Sequence, residues 1–357
     1  MRRGPTFLIT MAATLIATSG LTMTAARPAH AFATYNDPFG NKGHAEHEHV
    51  TRAALACPPG KASDGNCFEP KSLTGLAGTT GYLGGVGRAD NWRPWSGELS
   101  DEKAHCDNAD YIRKDDNGGT DYVRTRDQAS DTLIGCLSHL RMRFRQGADS
   151  GNQTVRADNS IPYYDSNDPD QCWDGLPPGG GSAAKCRFLD YFGRAVHGVQ
   201  DFYSHSNWVD QAEPGQPTSV TNPPGMGKRE LSPLFALRTP VPGRADIPEQ
   251  LSTGCYPSDE CAGRIRHDEE LNKDRAIIDA AGNVTFDRSW ITHRGGIADN
   301  EQQAVTWAIN DTRRQWQDMK AELLARYGND RGNRIICVLT HDEPTGAWPW
   351  THGACDS

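Results

Sequence analysis

Between residues 183 and 209, Phe188, Phe192, Ala195, Val199 and Phe202 recur every three to four positions. That spacing predicts an α-helix with an apolar stripe long enough to run buried through the centre of a helical domain. The same helix carries His197, Asp201 and His205 at i, i+4 and i+8. Four residues advance about 400°, so successive members share a face, and the drift over eight residues is about 80°. Three such polar groups beside a strongly apolar stripe need a partner once buried. Histidine with carboxylate is a donor set that suits zinc or a related divalent ion.

Around this segment the chain reads as helices joined by loops rich in Gly, Pro and Asp. Residues 45–56 form one short helix, with Val50, Ala53 and Ala54 at helical spacing. Residues 123–146 form another, on the stripe Leu133, Cys136, Leu137, Leu140 and Phe144. Residues 147–182 read as loop, and 211–250 as an extended, proline-punctuated excursion. Helices are expected over 262–281 and 297–327, the latter closed by Tyr327-Gly328. Asn283 to Phe286 reads as a hairpin edge. Only 29 residues follow Gly328, too few for a second domain. The expectation is mainly α: one helical domain over 32–357, with disulfide-stapled loops and a C-terminal tail, 329–357, holding a disulfide loop.

Residues 1–31 read as a secretory signal peptide: Arg2 and Arg3, the apolar run Phe7 to Leu21, then the small-x-small site Ala29-His30-Ala31, with cleavage after Ala33 as the alternative. The apolar run is short for a membrane span, so the mature chain is expected to be extracellular and without a transmembrane segment. All ten cysteines follow it, an even number that implies disulfides in an exported chain. Proximity suggests Cys57–Cys67, Cys172–Cys186, Cys255–Cys261 and Cys337–Cys355, leaving Cys106–Cys136. The formal charge of −9 becomes −12 once Arg2, Arg3 and Arg27 are removed. Such a chain is poorly suited to nonspecific binding of DNA or anionic membrane. It can still act on a phosphate ester if metal ions supply local positive charge.

Further donors lie elsewhere. His44, His47 and His49 stand near the mature N-terminus. Asp90, in Arg88-Ala89-Asp90-Asn91-Trp92, is followed fifteen residues later by His105. His267 is followed by Glu270 and Asp274 on the helix expected there. His139, among Arg141, Arg143 and Arg145, reads as part of a solvated helix face. His293 is an alternative to His267, and His341 and His352 belong with Trp348 and Trp350 in a packed C-terminal loop.

The order and spacing of these elements resemble the superfamily of zinc-dependent bacterial phospholipases C and S1/P1 nucleases. The string His197-Gly-Val-Gln-Asp201-Phe-Tyr-Ser-His205-Ser-Asn looks most like its HET-C-like branch. The resemblance spans residues 44–274 and implies a helical fold holding one to three zinc ions. It would place His105, His197 and Asp201 on a first zinc. His205 and His267, with Asp274 or Glu270, would hold a second. His47 and Asp90 would hold a third, Asp90 bridging two ions and orienting the attacking water. The mature N-terminal residue, a ligand in some members, would be Phe32 or Thr34 in place of the usual Trp. Three residues rather than five separate Asp201 from His205, and the family's closing His-x3-Glu is absent. The activity implied is hydrolysis of a phosphodiester in a phospholipid; a nuclease of the S1/P1 type and a non-catalytic exported metal-binding protein are the alternatives.

Overall fold

The computed structural model describes residues 45–91, 93, 95, 97–166, 172, 183–257, 260–286, 291–346 and 353–355. The stretch 1–31 expected to be a signal peptide, and Phe32, Thr34, His44, Trp92, Trp348, Trp350 and His352, lie outside them. In chain order the helices are α1 (Glu46–Leu55), α2 (Pro70–Ala77), α3 (Gly84–Gly87), α4 (Glu102–His105), α5 (Arg126–Asn152), α6 (Tyr163–Ser166), α7 (Ala184–His205), α8 (Asn300–Tyr327) and α9 (Asn329–Thr340). A two-stranded antiparallel hairpin, β1 (Ala276–Ile278) and β2 (Val284–Phe286), pairs Ala276 with Phe286 and Ile278 with Val284. The protein is thus mainly helical. No helix among the described residues is long and apolar enough to cross a membrane.

Helix α7 carries the phenylalanine stripe and is covered by α5, α3 and α8. Phe188 and Phe192 stack on each other and meet the buried Trp316 of α8 edge-on. Phe202 packs on Phe235, with ring centroids 4.3 Å apart. Each aromatic buried this way contributes about 1.5–3 kcal/mol. The stripe therefore anchors the helix, and the polar residues along it are buried as a consequence: His197 and Asp201 are fully enclosed.

Two glycines on α7 let other elements approach closely. A Cβ at Gly193 would fall 2.2 Å from the backbone of Gly85 in α3, so α3 meets α7 backbone to backbone. A Cβ at Gly198 would fall 2.4 Å from Ala104 O in α4 and 2.7 Å from Leu140 in α5. These contacts bring Asp90, just beyond α3, and His105, at the end of α4, to the same stretch of α7. The five disulfides are Cys57–Cys67, Cys106–Cys136, Cys172–Cys186, Cys255–Cys261 and Cys337–Cys355, the pairing that sequence proximity suggests. Cys106–Cys136 ties the residue after His105 to the middle of α5.

Three expectations change. Helix α5 runs to Asn152, beyond the expected end at 146. Gly147 and Gly151 look like breakers, but they continue the helix because small residues fit against Phe192, Phe188 and Leu339. Residues 262–281 are not a helix. Their chain is used in pairing with Cys255: Cys255 N donates to Ile265 O (2.8 Å), and His267 N donates to Cys255 O (2.9 Å). The Cys255–Cys261 loop fixes that pairing, which overrides the helical spacing, and β1 occupies 276–278. The tail forms α9, entered through Gly328 at φ 79°.

The α7 contacts give a paired prediction. Gly198→Ala should destabilise the protein by about 1–3 kcal/mol through overpacking against α4. Gly135→Ala, whose Cβ would meet nothing nearer than 3.8 Å, should stabilise α5 by about 0.5–1 kcal/mol. Urea denaturation of the two variants beside the parent chain measures both.

Candidate metal centre

Asp201 is the common member of the first cluster. Its Oδ1 faces His47 Nε2 at 3.2 Å, and its Oδ2 faces both His105 Nδ1 and His197 Nε2 at 3.0 Å. His105 Nδ1 and His197 Nε2 are themselves 3.0 Å apart. Asp90 Oδ1 lies 3.6 Å from His197 Nε2 and 3.8 Å from His105 Nδ1. Four segments therefore deliver their donors to one point: α1, the stretch after α3, α4 and α7.

The outer partners of the rings decide which nitrogen faces inward. His47 Nδ1 lies 2.7 Å from Gln200 Oε1, and the Gln200 amide donates to Thr51 and Thr312 hydroxyls at 3.0 Å. Gln200 Oε1 can only accept, so His47 carries its proton on Nδ1 and turns a bare Nε2 to Asp201. His105 Nε2 lies 3.2 Å from the backbone oxygen of Glu98, which likewise only accepts, leaving Nδ1 bare toward Asp201 and Asp90. Neutral rings in these tautomers would set acceptor against acceptor. His197, whose Nδ1 has no hydrogen-bond partner among the described residues, can donate from Nε2 to Asp201 or to His105, which leaves the His47–Asp201 contact unmatched; an extra proton or a metal ion would match it.

The second cluster starts one turn along α7. His205 Nε2 faces Asp274 Oδ2 at 3.1 Å, and His267 Nδ1 faces Asp107 Oδ1 at 2.7 Å. The His205 and His267 rings lie 3.7 Å apart between centroids. Asp107, His205 and His267 present their donor atoms within 4.8 Å of one another. His205 Nδ1, His267 Nε2 and Asp274 Oδ1 are buried and receive no hydrogen bond from the protein. Leaving such groups unsatisfied costs about 1–3 kcal/mol each. The donor set, its burial and these unmatched atoms all fit a divalent ion. A glycine again sets the approach: a Cβ at Gly254 would fall 2.3 Å from the His267 Cα.

Charge inside the centre follows from burial and carboxylates in opposition. Burial works against a charged His105, but Asp201, Asp90 and Asp107 outweigh it and raise the ring to about 10. Burial likewise opposes a charged His267, and Asp107 prevails, raising it to about 9. His47 is also raised by Asp201 against burial. At His197 and His205 burial wins, and both are lowered. Burial opposes the charge of Asp201, yet His197 and His47 hold it well below the usual carboxylate range.

Eight of the nine ligand positions expected from sequence stand in the two clusters: His47, Asp90, His105, His197, Asp201, His205, His267 and Asp274. Glu270 does not. It accepts from Arg266 N at 2.7 Å and pairs with the Arg266 guanidinium at 2.8 Å. His293 is exposed beside Glu213. His139 is not on a solvated face: it turns inward, 3.2 Å from Glu98 Oε1. His341, Cys337 and Cys355 also lie close together, but both cysteines are in a disulfide. Asp107 was not among the expected ligands; its only signal in the sequence is its place two residues after His105. Comparison of the chain with protein-family models, with curated proteins and with solved structures gave no match.

The protonation of the rings predicts how metal uptake depends on pH. In the metal-free protein at pH 7, His105 and His267 hold protons that a metal ion must displace. Zinc binding at pH 7 should therefore release more than about one proton per chain. The apparent affinity should rise with pH until it levels near the His267 and His105 values of about 9 and about 10. Calorimetry in buffers of different ionisation enthalpy counts these protons, and a count of zero would contradict the assignment.

Proposed function

We propose that this chain is an exported, metal-dependent phosphodiesterase of the zinc phospholipase C and S1/P1 nuclease type, acting on phospholipid head groups. The observation that carries the reading is the convergence of His47, Asp90, His105, His197 and Asp201 on one buried point, with His205, His267, Asp107 and Asp274 one helical turn away. Adjacent sites of mixed His and carboxylate donors are what hydrolysis of a phosphodiester by metal-activated water requires.

In this reading His105, His197 and Asp201 would hold a first zinc, His205, His267 and Asp274, with Asp107, a second, and His47 and Asp90 a third. When bound, the ions supply the charge that neutralises the phosphate oxygens and lower the pKa of the attacking water. His47, His197 and Asp201 are fully enclosed, whereas Asp90 and His105 are each 6% exposed. Asp90 is placed to orient the attacking water and take its proton. Gln200 and the Glu98 carbonyl keep the tautomers of His47 and His105 fixed throughout. No covalent nucleophile takes part.

Elemental analysis of protein dialysed without chelator should find two or three zinc ions per chain. His197→Ala and Asp201→Asn should lower that content. They should also reduce hydrolysis of bis(para-nitrophenyl) phosphate by more than about 100-fold, since changes even one layer outside a metal cost about 10–100-fold. Micellar phosphatidylcholine should be cleaved faster than single-stranded DNA; the reverse order would make the protein a nuclease. Bound zinc without turnover of either would overturn the enzymatic reading and leave a metal-binding protein.

A further inference from the structure

Glu98 is almost fully buried beside the first cluster, yet its side chain points away from it. Its carboxylate is gripped by three basic groups. Oε2 accepts from Arg194 Nη1 at 2.9 Å; Oε1 accepts from Arg143 Nε at 3.1 Å and Nη2 and lies 3.2 Å from His139 Nε2. Burial disfavours the charge of Glu98, but His139, Arg194 and Arg143 more than compensate and hold the carboxyl far below its ordinary value. Arg194 is on α7, three residues before His197, and is itself braced by Asp190 at 2.9 Å. Arg143 and His139 are on α5.

The Glu98 backbone is equally committed. Its N–H donates to Ala89 O at 2.9 Å, which fixes the residue before Asp90. Its carbonyl accepts from Asp101 N at 2.8 Å, at the start of α4, and from His105 Nε2 at 3.2 Å, at the end of α4. One residue therefore joins the Asp90 segment, the His105 segment, α5 and α7 through its N–H, its C=O and its carboxylate. Replacing one partner of a buried ion group leaves the others uncompensated. The carboxylate clamp thus decides where the carbonyl points.

We propose that Glu98 is the positioning residue of the first metal site: its clamped carboxylate aims the Glu98 carbonyl at His105 Nε2, so that His105 binds metal through Nδ1 in register with Asp90 and His197. The proposal rests on the reading of the first cluster as a metal site. It makes Glu98, Arg143, Arg194 and His139 an outer frame that holds the ligands without touching the ion, as supporting residues do around other metals.

The test uses full-length mature protein, nitrogen-labelled at histidine and loaded with magnetically active cadmium in place of zinc. In the parent protein, cadmium coupling should appear at His105 Nδ1, with the proton on Nε2. Glu98→Gln keeps the size of the side chain but removes its charge. It should weaken zinc binding by about 10–100-fold and divide the cadmium coupling at His105 between Nδ1 and Nε2. Glu98→Asp, which keeps the charge, should restore coupling at Nδ1 in part. If Glu98→Gln does not fold, the parent spectrum and Glu98→Asp still decide. Coupling at His105 Nε2 in the parent protein, or a Glu98→Gln protein with unchanged coupling and zinc affinity, would overturn the proposal while leaving the metal site standing. A parent protein that binds neither zinc nor cadmium would overturn the reading beneath it.

Discussion

Asp201 and the three imidazoles turned toward it set the terms for the rest of the molecule. A carboxylate taken out of water is tolerated only when its charge is matched, and here the matching groups are rings whose inward nitrogens are bare. Gln200 and the Glu98 carbonyl occupy the outward nitrogens of His47 and His105, so these two rings cannot reorient to donate without losing those partners, while His197, whose Nδ1 has no hydrogen-bond partner among the described residues, is able to donate from Nε2. The arrangement therefore demands positive charge at its centre. Without metal, protons supply it, which is why His105 holds one to about 10. With metal, the same geometry becomes a ligand set.

The fold meets this demand by close approach at α7. The aromatic stripe seats α7 in the core, and glycines at 193 and 198 remove the bulk that would keep α3 and α4 away. Gly254 does the same for the His267 segment. Candidate ligands separated by up to 227 positions in sequence, from His47 to Asp274, are thereby collected within two turns of one helix. The Cys106–Cys136 and Cys255–Cys261 disulfides sit directly beside His105 and the His267 segment. They tie down the two short ligand-bearing stretches that have the least regular structure of their own.

What could be read from the sequence was whatever depends on local spacing. The α7 stripe and the i, i+4, i+8 set are periodic, and each of the five disulfides joins cysteines at most 30 residues apart. What could not be read depends on tertiary pairing. Residues 262–281 have helical spacing, but Ile265 O and His267 N pair with Cys255, so the segment is not a continuous helix and Asp274 rather than Glu270 faces His205. Asp107 and Glu98 look in sequence like ordinary surface acids. Their roles come from burial against His267 in one case and against two arginines in the other, and neither partner is a sequence neighbour. His139 and Arg143 read as a solvated basic face because a helix pattern cannot reveal an inward acid on another segment.

The central claim is that the cluster around Asp201 exists to hold metal. It is tested most directly by diffraction at the zinc edge from crystals of the protein grown with zinc. The account predicts an anomalous peak about 2.0–2.2 Å from His105 Nδ1, His197 Nε2 and an Asp201 oxygen, and a second peak beside His205 and His267. Crystals with zinc elsewhere and none at these residues, with His47 and His105 still in direct contact with Asp201, would contradict it.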